Sequence, residues 1–198
     1  MTENTMGETL PIFPLSTVLF PGGVLPLRIF EPRYLDMVAD CLRNDAGFGV
    51  CLLRGGREVG PAAPCHAIGT LALIEDWEQG EAGLLQITVR GRQRFRLLDA
   101  RVQPNQLTLG EVEWLEPEAV VPVPGGARLL SGLLGRLLEE LGPPFDHLTR
   151  REEEDLGWVT ARLTEILPLP LATKQAWLEA ADPQQRAEGL LEFLRSQR

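Results

Sequence analysis

Five prolines punctuate the stretch Leu10–Tyr34, LPIFPLSTVLFPGGVLPLRIFEPRY, and they limit what it can become. A proline donates no ladder hydrogen bond, so a strand that carries several belongs at a sheet edge or bends, and is not central. Leu10–Phe20 is apolar and β-prone and reads as such an edge or bent strand. Pro21-Gly22-Gly23 is a strong turn signal. Val24–Ile29 resumes extended structure, with Pro26 again limiting its ladder. Glu31-Pro32 then opens a helix, because proline suits the first helical turn and an acid suits its positive end. Leu35, Val38, Ala39 and Leu42 follow at helical spacing and predict its buried face.

The chain continues with a helix stop at Asn44-Asp45-Ala46-Gly47, where Gly or Asn suits the left-handed cap. A strand is expected over Phe48–Leu53, a turn at Arg54-Gly55-Gly56-Arg57, and further strands over Ala67–Trp77, Leu84–Val89, Phe95–Val102 and Leu107–Leu115. Gly91 marks a bulge or bend between two of them. Short strands at this spacing, separated by turn residues, predict a barrel or a sandwich. The pattern changes after EPEAVVPVPGGA, Glu116–Ala127, a proline- and glycine-rich connection. Arg128–Leu141 carries a wide leucine stripe that needs a large partner surface. Glu152–Leu167 is the next helix, apolar at Leu156, Val159, Leu163 and Ile166. A short helix spans Ala172–Ala180. Asp182-Pro183 starts the last one with a capping aspartate, and Gln185 sits where a capping box places it. Leu190, Leu191 and Leu194 form its buried side.

With 198 residues, 44% of them hydrophobic, the chain can bury a sizeable core. Its net charge is −9, and Lys174 is the only lysine among 19 basic residues. That balance argues against RNA or an anionic membrane as partner. Cys41, Cys51 and Cys65 show no Cys-x-x-Cys pairing, and the polar, acidic first nine residues are unlike a secretion signal. No apolar run approaches the roughly 20 residues that span a bilayer. These features together predict a cytoplasmic protein.

Pro11-Ile12-Phe13-Pro14-Leu15, Val18-Leu19-Phe20-Pro21-Gly22 and Leu27-Arg28-Ile29-Phe30-Glu31-Pro32-Arg33-Tyr34, in that order, resemble the start of a Lon N-terminal domain. Ala67-Ile68-Gly69-Thr70-Leu71-Ala72, Gly91-Arg92-Gln93-Arg94-Phe95, Leu167-Pro168-Leu169-Pro170 and Lys174-Gln175 agree in place and type, so the likeness covers nearly the whole chain. The resemblance implies an α+β fold: a small PUA-like β-barrel with one inserted helix, followed by a C-terminal helical bundle. The expected division is a β-rich subdomain at 8–116, a linker at 117–127 and a helical subdomain at 128–198. It also implies a stand-alone substrate-binding domain, which binds polypeptide clients or a partner protease in quality control, takes no cofactor and performs no hydrolysis.

The residues themselves offer little catalytic chemistry. There is no G-x-x-x-x-G-K-[ST] loop to cradle a phosphate and no G-x-S-x-G elbow. A Ser-Lys dyad needs a serine beside a lysine kept neutral, and neither Ser16, Ser131 nor Ser196 is placed near Lys174, whose setting reads as a solvated helix start. Cys65 and His66 are adjacent, so a strand would point them to opposite faces; with His147 isolated, no metal site is expected. Glu152-Glu153-Glu154-Asp155 reads as an acidic helix opening rather than a cation site. Arg90, Arg92, Arg94 and Arg96 alternate at period two and read as a solvated strand face paired with acids, against the alternative of a nucleic-acid strip. A residual peptidase and an RNA-binding PUA-like barrel are the rival functions.

Candidate binding residues are Phe20, Pro21 and Gly22, and Glu31, Arg33 and Tyr34. The first three are expected at a turn tip, either exposed, where apolar groups often bind something and Phe20→Ala weakens binding and spares the fold, or with Phe20 packed in the core, where the same change collapses the melting temperature. The second three form either a recognition surface or an ion pair and packed ring that lock the strand-to-helix junction. A proline-broken edge is a poor template for a guest strand, which favours a groove as the binding site.

Overall fold

The computed structural model describes residues 8–80, 83–142, 145 and 154–197. Six strands, β1 (Glu8–Leu15), β2 (Val24–Ile29), β3 (Phe48–Leu53), β4 (Cys65–Gln79), β5 (Leu85–Val102) and β6 (Thr108–Trp114), are joined by one early helix, α1 (Pro32–Asn44). A helical half follows: α2 (Arg128–Leu141), α3 (Leu156–Ile166), α4 (Leu171–Ala180) and α5 (Pro183–Ser196). The sheet order is β2-β5-β4-β3-β1-β6, and β5 also pairs with β6. That second pairing closes β5, β4, β3, β1 and β6 into a five-stranded barrel. The 18-residue β5 makes closure possible, because residues 85–90 pair with β2 and residues 95–102 pair with β6. The α+β barrel with an inserted helix and a helical second half is thus the architecture of the chain.

The proline argument fails for β1 in an instructive way. β1 is not an edge: it lies between β3, parallel to it, and β6, antiparallel to it. Pairing with β6 runs from Glu8 to Ile12 and pairing with β3 from Ile12 to Leu15. Only Ile12 has both neighbours, so Pro11 and Pro14 each fall where one side is open and no donor is needed. β2, with Pro26, is the edge strand.

Two further expectations shift. Leu84–Val89 and Phe95–Val102 belong to one continuous strand, β5, rather than two. Gly91 does not break it, but the expected bulge is there: Arg92 and Gln93, just after Gly91, together face the single residue Leu71 of β4. In α1 the buried residues are Arg33, Tyr34, Met37, Val38 and Cys41, while Leu42 is exposed. The helix is phased by Tyr34, whose ring stacks on Phe13 at 4.0 Å between centroids. Asp45, at φ 50°, supplies the left-handed cap.

The helical half is organised around α3. All residues from Leu156 to Thr164 are buried, so α3 is an interior helix and not an amphipathic one. Asp155 caps it, accepting from the Gly157 N–H at 3.0 Å. Glu154 precedes it in a turn, whereas Glu152, Glu153 and His147 lie outside the described residues. Asp182 caps α5 through the Gln184 and Gln185 N–H groups.

The turn after β1 joins the two halves. Gly22 donates its N–H to the Gly91 carbonyl and Gly91 donates to the Gly23 carbonyl, both at 2.8 Å. Thr70 Oγ1 donates to the Leu19 carbonyl at 2.6 Å. From the other side, the Glu165 carboxylate accepts the Phe20 N–H at 2.7 Å and Arg162 donates to the Pro21 carbonyl at 2.9 Å. Gly22 has φ +79°, and a Cβ on Gly91 would lie 2.3 Å from the Phe20 carbonyl oxygen, so both positions require glycine.

Phe20 is therefore not at an exposed tip. It is fully buried, packed with Val18, Leu52, Ala161 and Leu178 under the Arg186 guanidinium, 5.5 Å above its ring. The helical half covers what the local sequence leaves open.

Phe20→Ala is expected to destabilise the fold by about 3–5 kcal/mol, a large share of a typical stability of 5–15 kcal/mol; a chemical denaturation curve gives the value, and a loss below about 1 kcal/mol would contradict the packing described.

Glu165 supplies a pH test. Burial pushes its carboxyl up from the ordinary value, against the pull of Arg162, the Phe20 N–H and Lys174. The folded state then binds a proton more readily than the unfolded chain, where a glutamate titrates near pH 4.3, so the contribution is present below that pH and is lost as pH rises through the folded value. Melting temperatures of wild type minus Glu165→Gln should accordingly rise as pH falls from 7 towards 4.5. A difference that stays flat or falls would mean the carboxylate is not penalised by burial.

Candidate functional site: a cleft between barrel and helices

The connection between the halves is not a loose tether. Val121 donates to Asp155 Oδ1, and Val123 N–H and Leu156 N–H exchange bonds with the Glu154 and Val121 carbonyls. Two buried arginines fix its earlier part. Arg94 of β5 donates to the Leu178 and Glu116 carbonyls, each at 3.0 Å. Arg186 of α5, with no exposed surface, forms a two-pronged pair with Glu118 and also reaches Thr160 Oγ1 at 3.2 Å. Burial lowers the Arg94 pKa, an effect that Glu118 opposes. Carboxylate and carbonyl partners are what allow such groups to stay ionised inside a protein.

Between these anchors lies a cleft of about 430 Å³. Phe20 and Pro21 of the turn, Pro117 and Ala119 of the connection, and Trp158 and Ala161 of α3 give it an apolar floor. Arg92, Gln93 and Arg94 of β5 with Glu118 and Asp155 make its rim. The volume and composition, an apolar surface with a few fixed polar groups, suit a short segment of polypeptide or a small apolar ligand.

The sequence-predicted residues separate. Phe20 and Pro21 line the cleft, while Gly22 holds the turn behind it. Glu31, Arg33 and Tyr34 lie elsewhere, at the β2–α1 junction. Arg33, 5% exposed, pairs with Glu31 at 3.0 Å, donates to the Gln106 carbonyl at 2.9 Å and sits 4.6 Å over the Tyr34 ring. Burial raises the Tyr34 pKa. These contacts have the form of a structural lock. Glu31 and Tyr34 do border a smaller hollow of about 230 Å³, with the half-exposed Phe30 and Val59 beside them.

Sequence reasoning missed Arg94, Glu118, Trp158, Arg186 and Phe30. Of these, only Arg94 carried a signal, and it is the exception in its own run. Arg90 and Arg92 face Glu75, and Arg96 pairs with Glu113 at 2.8 Å, as a solvated strand face requires. Arg94 instead turns inward. Lys174 is not a solvated helix start: its Nζ donates to the Glu165 carbonyl at 2.9 Å, and burial lowers its pKa while Glu165 opposes the change. Among the described residues, no group of three or more His, Cys, Asp or Glu side chains could hold a metal, and no helix is long and apolar enough to cross a membrane.

Comparison with known proteins places this geometry among relatives. Lon protease 2 of Myxococcus xanthus is 30% identical over 208 residues, which cover all of this chain and 25% of that protein. Protein cereblon of Gallus gallus is 33% identical over 133 residues, 65% of this chain and 28% of that protein. The chain thus spans about a quarter of the length of the curated relatives it matches. The crystal structure of a Lon N-terminal domain protein from Xanthomonas campestris superposes with a TM-score of 0.76 at 38% identity, covering 93% of this chain and 98% of that one. The model of the ATP-dependent protease La (LON) substrate-binding domain matches residues 9–196, from the second residue of β1 to the last of α5. The match takes in barrel, turn and helical half alike, and the chain belongs to the Lon substrate-binding domain family.

Proposed function

We propose that this chain is a non-catalytic polypeptide-binding module that takes unfolded or exposed apolar segments into the cleft between barrel and helices, in the service of proteolysis or protein quality control in the cytoplasm. The observation that carries the reading is the cleft itself: an apolar floor set among charged and amide groups, in a family defined by substrate binding. Apolar side chains of a client would bury against Pro21, Pro117 and Ala119, backed by Phe20 and Trp158, and main-chain groups would find Gln93 and Arg92 at the rim. Such a site reads apolar character rather than sequence, which is what a binder of unfolded chains needs.

A second reading places the client in the hollow beside Glu31 and Tyr34, because Phe30 and Val59 are 54% and 52% exposed there. Nucleic acid is a weaker fit, since Arg90, Arg92 and Arg96 are met by Glu75 and Glu113 and Arg94 is buried.

The two sites separate by substitution. Ala119 is exposed and lines the cleft, so Ala119→Trp should fill it, leave the melting temperature within a few degrees, and weaken binding of a labelled, permanently unfolded protein such as reduced and carboxymethylated α-lactalbumin several-fold. Val120→Arg, at a neighbouring residue outside the cleft, should leave both the melting temperature and the affinity unchanged. Unchanged affinity in Ala119→Trp together with a several-fold loss in Phe30→Ala would move the site to the hollow, and unchanged affinity in both would remove the binding reading from these surfaces.

Purified chain is expected to hydrolyse neither ATP nor casein. Turnover that survives repurification and disappears in Lys174→Ala would overturn the non-catalytic reading.

A further inference from the structure

Cys51 and Cys65 lie on paired strands, β3 and β4, where the register slips from Cys51↔Gly69 to Leu53↔Cys65. The irregularity brings the two thiols together. Both pack with Ile12 and Phe95 in one cluster within the barrel, and each thiol is the largest influence on the other's ionisation. Gly69 makes room, because Cys51 Sγ lies 2.5 Å from where a Cβ at that position would stand. Cys51 is fully buried and Cys65 only half-buried. Cys41, the third thiol, lies on α1 and is buried in a different cluster, with Phe48 and Val50 of β3.

We propose that Cys51 and Cys65 form a dithiol modification site, oxidised by a peroxide to an intramolecular disulfide. In the first step the Cys65 thiolate attacks hydrogen peroxide. An S–O bond forms, the O–O bond breaks, and the departing hydroxide takes a proton to become water, leaving Cys65 as a sulfenic acid. In the second step the Cys51 sulfur attacks the Cys65 sulfur. The S–S bond forms, the S–O bond breaks, and the hydroxide leaves with the Cys51 proton as a second water. Two thiols lose two electrons in total and peroxide gains them.

The asymmetry of the pair assigns the roles. The neighbouring Cys51 thiol, aided by the positive charge of Arg54, holds the Cys65 thiol below its usual value, whereas the Cys65 thiol and burial hold Cys51 well above it. The thiolate is the nucleophile towards peroxide, and a partly exposed, low-pKa cysteine beside a resolving thiol is the arrangement that oxidises reversibly. Burial pushes Cys41 up to about 11, which makes it the internal control. The new bond would close the base of the loop from Arg54 to Pro64, where the Arg54 N–H already donates to the Pro64 carbonyl at 2.9 Å.

The test treats the whole chain with hydrogen peroxide, blocks remaining thiols with iodoacetamide in denaturant, and maps tryptic peptides. The expected product joins peptide 44–54 to peptide 58–90 while Cys41 is recovered alkylated and the far-ultraviolet circular dichroism is unchanged. Cys65→Ser should abolish the joined peptide and leave Cys51 alkylatable, and Cys41→Ser should change nothing. Recovery of Cys65 as sulfinic acid beside an alkylated Cys51, joining of either cysteine to Cys41, or oxidation only after the spectrum collapses would each overturn the proposal.

Discussion

The fold depends on the docking of one turn, Leu19–Gly23, between a barrel strand and an interior helix. Its carbonyls and amides are consumed on both sides: Thr70 and Gly91 from the barrel, Arg162 and Glu165 from α3. A backbone segment taken out of water must find partners, because each unpaired buried polar group costs roughly 1–3 kcal/mol. Here the partners belong to segments about fifty, seventy and a hundred and forty residues away. The turn thus cannot be satisfied by the barrel alone, nor by the helices alone. Phe20 follows the same logic, since its ring is covered by Ala161, Leu178 and Arg186 rather than by barrel residues only.

This dependence explains which parts of the structure were legible in the sequence. Elements whose signal is local came through well: β3 at Phe48–Leu53, α2 at Arg128–Leu141, the helix stop after Asn44, although Asp45 rather than Asn44 or Gly47 takes the left-handed cap, and the Asp182-Pro183 opening of α5 all follow from turn chemistry, capping and periodicity. What failed was set at a distance. Prolines mark strands that lack a donor, but not which half of a strand lacks a neighbour, and β1 changes partner at Ile12, between its two prolines. Stacking on Phe13 chose the face of α1, which helical spacing alone placed one residue out. The strand β5 read as two because a glycine normally weakens a strand, whereas Gly91 is required by the close approach of the turn.

The candidate site was less legible than the fold for the same reason. Phe20 and Pro21 were visible as an apolar turn, but their burial and their place in a cleft come from Trp158 and the stretch around Glu118. An arginine at position 186 of an otherwise ordinary helix gives no hint that it is completely buried. Glu31, Arg33 and Tyr34 were conspicuous because they are dense in charge and aromatic surface, and that density is spent on one another.

The buried arginines connect the fold to the proposed binding. Desolvating a guanidinium costs several kcal/mol, and removing its partner leaves that cost uncompensated. Arg186 with Glu118, and Arg94 with the Leu178 and Glu116 carbonyls, therefore fix where the connection sits on the helices, because only that placement satisfies both guanidinium groups. Both pairs flank the cleft, so its walls are held at fixed spacing although they come from three distant parts of the chain. A pre-formed cleft loses little conformational entropy on binding. The ordering cost then falls on the client, and a chain that is already extended and unfolded at the contacted residues can meet it most readily, because it has no folded structure to give up. If the proposed binding holds, a rigid apolar cleft of this size would select for unfolded segments through what folded clients must lose, without any contact that recognises disorder itself.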